Sequence, residues 1–190
     1  MTTPAGREPH FLFLLASARR DGNAEALARH AAAALPANVQ QAWLRLDEHP
    51  LPPFADLRHA SAEAWQPTVE GHARTLLEAT LAATDLVFVT PVYWYSLPAS
   101  AKLYLDHWSA WLRAPGWDFK ARMAGKSLRA VITLSDSDPT PSQPLQETLR
   151  LTADYMAMRW AGAVVGEGNR PGDILRDTRA LTEAQALLAR

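Results

Sequence analysis

Phe11-Leu12-Phe13-Leu14-Leu15-Ala16-Ser17-Ala18-Arg19-Arg20-Asp21-Gly22-Asn23-Ala24 changes character twice. Phe11 to Ala16 is a continuous apolar run, which suits a strand buried on both faces. A short polar loop follows. An alanine-rich segment then places Leu27, Ala31 and Leu35 on one side, which predicts a helix over about 23–35 that ends before Pro36. A strand feeding a helix through a short loop opens a βαβ unit, so the stretch predicts a parallel sheet covered by helices.

Working outward, the alternation repeats. A weaker strand over 39–46 leads into His49-Pro50-Leu51-Pro52-Pro53-Phe54, where proline excludes regular structure. Val69, Ala73, Leu76, Leu77 and Leu81 recur at helical spacing and predict a helix over 68–83. Asp85 to Thr90 reads as a buried central strand stopped by Pro91. Further expectations are helix 98–112 with proline in its first turn, strand 128–134, helix 145–158, strand 160–165 and a closing helix over 179–189. Residues 1–9 read as a loose leader, and 1–190 as a single domain. Five strands of this kind predict an α/β three-layer sandwich with a parallel sheet of order 2-1-3-4-5 and helices on both faces.

Composition narrows the chemistry. Lysine and arginine total 19 against 20 acidic residues, so no long-range field favours nucleic acid or an anionic membrane. Cysteine is absent, which excludes disulfides, thiolate nucleophiles and cysteine-held metal clusters. Redox chemistry would therefore need a bound organic cofactor. The apolar run at Phe11 to Ala16 is too short for a signal-peptide core or a membrane span, and a cytoplasmic protein is expected. The six histidines show no paired spacing for a metal.

In a sheet of order 2-1-3-4-5, ligands sit beyond the carboxyl ends of strands one and three, where strand order reverses. The first of those loops, Ser17 to Asn23, sets a hydroxyl, two guanidinium groups and a glycine before a helix whose open amides attract an anion. It suits one phosphate monoester, or equally a solvated turn with Asn23 as a helix cap. The second, Thr90-Pro91-Val92-Tyr93-Trp94-Tyr95-Ser96-Leu97-Pro98, offers amides and flat rings for a planar heterocycle, or an aromatic plug for the core. Together they describe a mononucleotide with an aromatic head.

Ser17-Ala18-Arg19-Arg20-Asp21-Gly22-Asn23 resembles the Ser-x-Arg-x-x-Gly-Asn phosphate loop of the NADPH-dependent FMN reductase family, and Thr90-Pro91-Val92-Tyr93 resembles that family's Thr-Pro-x-Tyr segment. The likeness extends to Leu51-Pro52-Pro53-Phe54 and to Gly166-Glu167-Gly168 with Gly172-Asp173-Ile174, covering most of the chain. It implies a flavodoxin-like FMN protein, usually a homodimer or higher homo-oligomer, that moves electrons from NAD(P)H to a small quinone-like acceptor. It also implies that Ser17, Arg19, Gly22, Asn23 and the Ala24 amide hold the phosphate, and that Pro91, Val92, Tyr93, Trp94 and Tyr95 line the rings. Ser135 and Asp136 would lie near them.

Departures from the family pattern are Ala24 in place of a hydroxyl residue, Tyr95 in place of glycine, and Asp136 and Asp138 in place of a glycine-rich segment. They leave open a flavodoxin-like electron carrier without nicotinamide activity, or an interaction module without flavin. Three other motifs carry less. Gly125-Lys126-Ser127 precedes a strand rather than a helix, so it is not a triphosphate loop. Gly166-Glu167-Gly168 with Gly172 reads as a surface turn. Tyr104, Trp108 and Trp111 form a helical stripe that suits either core or an aromatic subunit interface.

Overall fold

The computed structural model describes residues 8–60 and 65–189, so most of the expected leader lies outside the described residues. In chain order the elements are β1 (His10–Leu15), α1 (Asn23–Ala32), β2 (Gln40–Arg45), α2 (Gly71–Ala82), β3 (Asp85–Pro91) and α3 (Ala99–Trp111). They continue with α4 (Phe119–Met123), β4 (Ser127–Leu134), α5 (Gln143–Tyr155), β5 (Arg159–Glu167) and α6 (Thr178–Leu188). Short 3-10 turns occupy 46–48, 140–142 and 173–176.

The strands pair in parallel in the order β2-β1-β3-β4-β5, as the alternating pattern predicts. Successive side chains leave a strand on opposite faces, and both faces are apolar here. Leu12, Leu14, Leu86, Phe88, Leu128 and Ile132 pack beneath α2, α3 and α5. Phe11, Phe13, Val87, Val89, Val131 and Val164 pack beneath α1 and α6. Every strand therefore ends at the same edge, where the loops of interest emerge.

Several expected boundaries move. The α-helical part of α1 stops at Ala32 and continues as single turns to Leu35, with Ala34 N and Leu35 N donating three residues back. α5 begins at Gln143 and ends at Tyr155, short of the expected 158, because Ala157 adopts φ 54° and turns the chain into β5. β5 runs two residues past the expected 165, to Glu167. α4 has no counterpart in the sequence reading: a five-residue helix burying only Phe119 and Met123 carries too little periodicity to register.

Tyr104, Trp108 and Trp111 belong to the core and do not form a subunit interface. Tyr104 and Trp111 are essentially inaccessible, and both tryptophans meet the Phe119 ring edge-on at 5.4 and 5.5 Å. The Tyr104 hydroxyl lies 2.6 Å from Thr80 Oγ1, and burial pushes its ionisation far upward. Lys126 is likewise structural: its Nζ donates to the carbonyls of Leu81 and Ala83 at the amino end of β4, remote from the carboxyl edge.

Candidate active site at the carboxyl edge

β1 and β3 are neighbours up to Leu15 and Val89, and the ladder continues as Ala16 N donates to Val89 O at 2.9 Å. Ser100 Oγ, in the first turn of α3, donates to Ala16 O at 3.2 Å. The loops after β1 and β3 therefore start side by side. The loops after β4 and β5 join the row through Val92 N to Thr133 O at 2.9 Å and Gly168 N to Leu134 O at 2.8 Å.

The loop after β1 is held tightly. Ser17 is buried, and its Oγ accepts from Arg19 N at 3.1 Å. Asp21 takes φ 51°, and a Cβ on Gly22 would lie 3.4 Å from Ser17 Oγ. Gly22, not Asn23, is the residue capping α1, and among the described residues no side chain accepts from the amides of the first turn. Those donors remain free for an anion, with the positive end of the helix dipole behind them. In its donor chemistry the residue set suits a phosphate group.

Asn23 is neither a cap nor a side-chain donor to the loop. It is buried, with Nδ2 donating to Arg170 O and Oδ1 accepting from Gly172 N, both at 3.0 Å. A Cβ on Gly168 would come within 2.6 Å of Asn23 Nδ2, so glycine there permits the contact. Arg19 Nη1 adds a bond to Asn169 O at 3.1 Å. The segment expected to be a plain surface turn is thus a strap, tied to the loop after β1 by Arg19 and Asn23. Gly166 within it is buried against Ile174, Ala180 and Leu27. The sequence reading missed this strap because its ties join residues about 150 positions apart. The Ala24 departure has a packing cause: its methyl group is part of the core, leaving only the backbone amide at the helix start.

The loop after β3 is a two-residue hairpin. Tyr93 N donates to Ser96 O at 3.1 Å and Ser96 N returns a bond to Tyr93 O at 3.0 Å. Trp94 and Tyr95 at the tip both have positive φ, 49° and 63°, where glycine or asparagine is usual. Tyr93 is 43% exposed, Trp94 93% and Tyr95 60%, so the aromatic-plug alternative does not hold. Val92 N and Tyr93 N are already engaged, which leaves the amides of Trp94 and Tyr95 without acceptors among the described residues. Pro91 and Val92 are half-buried at the base of the turn.

After β4, Ser135 and Asp136 are exposed. Asp136 Oδ1 accepts from Asp138 N at 3.0 Å, and Asp138 Oδ1 accepts from Thr140 N at 2.9 Å. The Thr140 contacts hold the Asp138 carboxyl below its ordinary value. Both carboxylates thus close their own turns. Ser135 also borders a polar cavity of about 550 Å³ shared with Ser137, Asn169, Arg176 and Thr178.

Residues 9–189 match the family model described as a flavodoxin-like fold. A Bacillus subtilis protein, YwqN, named for NAD(P)H-dependent FMN-containing oxidoreductase activity, is 36% identical over 173 residues, covering 90% of this chain and 92% of its own. The solved Trp repressor binding protein of Bacillus subtilis superposes with a TM-score of 0.74 at 29% identity, covering 95% of this chain and 98% of that one. An FMN-dependent NADH-azoreductase of Bacillus anthracis, solved with FMN, shares the fold at a TM-score of 0.67 and 13% identity, over 95% of this chain and 98% of that one. By strand order and by a family match running almost end to end, the chain belongs to the flavodoxin-like fold family.

Proposed function

We propose that this protein is an FMN-dependent NAD(P)H oxidoreductase that delivers electrons to a small quinone-like acceptor. One observation carries the reading: a helix N-terminus whose first-turn amides meet no capping side chain among the described residues and an exposed aromatic turn stand at adjoining strand ends. The FMN-containing relative supports it.

When bound, FMN supplies the hydride and electron chemistry, so the chain need only hold, orient and shield it. Ser17, the Arg19 guanidinium and the amides of Asn23 and Ala24 would hold the phosphate, with Gly22 leaving room for it. Pro91, Val92 and Tyr93 would border the rings, and the free amides of Trp94 and Tyr95 offer donors to polar ring edges. Ser135 and Asp136 would bound the far side. Self-association is assigned to the exposed Tyr93, Trp94 and Tyr95, since the stripe on α3 is buried. Among the described residues no helix is long and apolar enough to cross a membrane, which accords with a cytoplasmic setting.

Protein purified without added flavin should be yellow, and should oxidise NAD(P)H when a quinone is supplied. Colourless protein that stays inactive after FMN is added would remove the assignment. Arg19→Ala should weaken FMN binding by about 1.5–3 kcal/mol, the usual contribution of a hydrogen bond to a charged group, as read by flavin fluorescence titration.

A further inference from the structure

A carboxylate sits in the first turn of α1, where a phosphate is proposed to bind. Glu25 is buried, and two arginines meet it there. Arg29 Nη2 lies 2.7 Å from Glu25 Oε1, while Arg45 Nη2 bonds Glu25 Oε2. Arg45 ends β2 beside Leu15, its neighbour on β1, which lies two residues before Ser17 of the proposed phosphate loop. It is 9% exposed, and its Nη1 is buried without a hydrogen-bond acceptor among the described residues. The group continues outward: Arg45 Nε lies 4.0 Å from Glu48, and Glu48 pairs with Arg20 of the loop at 2.8 Å. Arg29 lies over the Trp43 ring at 4.3 Å.

The charges do not cancel: Arg20, Arg29 and Arg45 face Glu25 and Glu48. Burial alone would push the Glu25 carboxyl up, but hydrogen bonds from Arg29 and Arg45 overcome this and hold it below its ordinary value. It is an anion at neutral pH. Left uncompensated, it would oppose a second anion at the same helix end, within about one 5.4 Å turn.

We propose that Arg45 is a positioning residue that cancels Glu25, so that the N-terminus of α1 presents a net positive field to the phosphate monoester of the flavin. The proposal rests on the phosphate-loop reading above. The alternative is purely structural, with the Arg45–Glu25 pair clamping the edge strand β2 to α1. Removing one partner of a buried pair would then weaken everything the fold supports. The two are separated by a ligand with the same rings and no phosphate.

The experiment titrates flavin-free protein with FMN and with riboflavin, comparing wild type, Arg45→Met, Glu25→Gln and the double variant. The ratio of FMN to riboflavin affinity should fall about tenfold in Arg45→Met, between the roughly fourfold and roughly two-hundredfold expected for an uncompensated unit charge about one 5.4 Å turn away in bulk water and at an effective dielectric of about 20. It should rise above wild type in Glu25→Gln and return near wild type in the double variant. A ratio unchanged across the variants, with both flavins weakening together, would overturn the proposal. If Arg45→Met does not fold, an unchanged ratio in Glu25→Gln overturns it alone. A wild type that binds riboflavin as tightly as FMN would instead remove the phosphate loop itself, and the proposal with it.

Discussion

Trp94 and Tyr95 carry a backbone conformation that costs a non-glycine residue about 1–3 kcal/mol, and they place large rings in water besides. Stability alone would have chosen Asn-Gly for this turn. Replacing Trp94 by Asn and Tyr95 by Gly should therefore stabilise the fold by about 1–2 kcal/mol in urea unfolding, while flavin, met there through backbone amides that Asn-Gly also supplies, is retained and self-association weakens. Loss of flavin would show that the two rings themselves serve the cofactor. Glu25 makes a second prediction at this scale. Its folded value lies below the ordinary 4.5, so its contribution is complete above that value and drains away as pH falls through the folded one. Glu25→Gln should flatten the acid limb of a plot of Tm against pH below about 4.5, leaving the neutral-to-alkaline slope as in wild type.

At the scale of elements, the junction between α5 and β5 is the clearest compromise. Ala157 takes the left-handed conformation that ends the helix, a position where glycine has no steric penalty. Met158 N nevertheless bonds back to Ala153 O at 2.8 Å, so the reversal is well formed. Ala157→Gly should raise the unfolding free energy by about 1 kcal/mol, read by chemical denaturation, with flavin binding unaltered. The same junction shows why the helix was expected to run to 158: Met156 and Met158 continue the apolar pattern, and alanine gives no stop signal. α6, in contrast, starts where a signal exists, with the Asp177 side chain accepting from Ala180 N at 2.9 Å.

Across the whole molecule, the proposed cofactor would touch loops from β1, β3 and β4, and the β1 loop is strapped to β5. Binding at that row should stabilise the fold as a unit. FMN at about 100 times its dissociation constant should add about 2.7 kcal/mol, or about 5–10 °C in Tm for a chain of this size. Riboflavin at equal concentration should give a smaller shift, because it lacks the group that meets α1. Much of this arrangement is legible in residue order alone. Apolar runs at Phe11–Ala16 and Asp85–Thr90 specify central strands, and alternation with amphipathic helices specifies a parallel sheet whose carboxyl edge carries the Ser17–Asn23 and Thr90–Pro98 loops. Those are local properties, written in periodicity and in loop chemistry. What Asn23 does, why Gly168 must be small, that Trp108 and Trp111 are core while Trp94 lies bare, and that Arg45 lies beside the strand that leads into the Ser17–Asn23 loop were decided only by tertiary structure. Each depends on which distant segment packs against a residue, and a one-dimensional pattern holds no record of that neighbour.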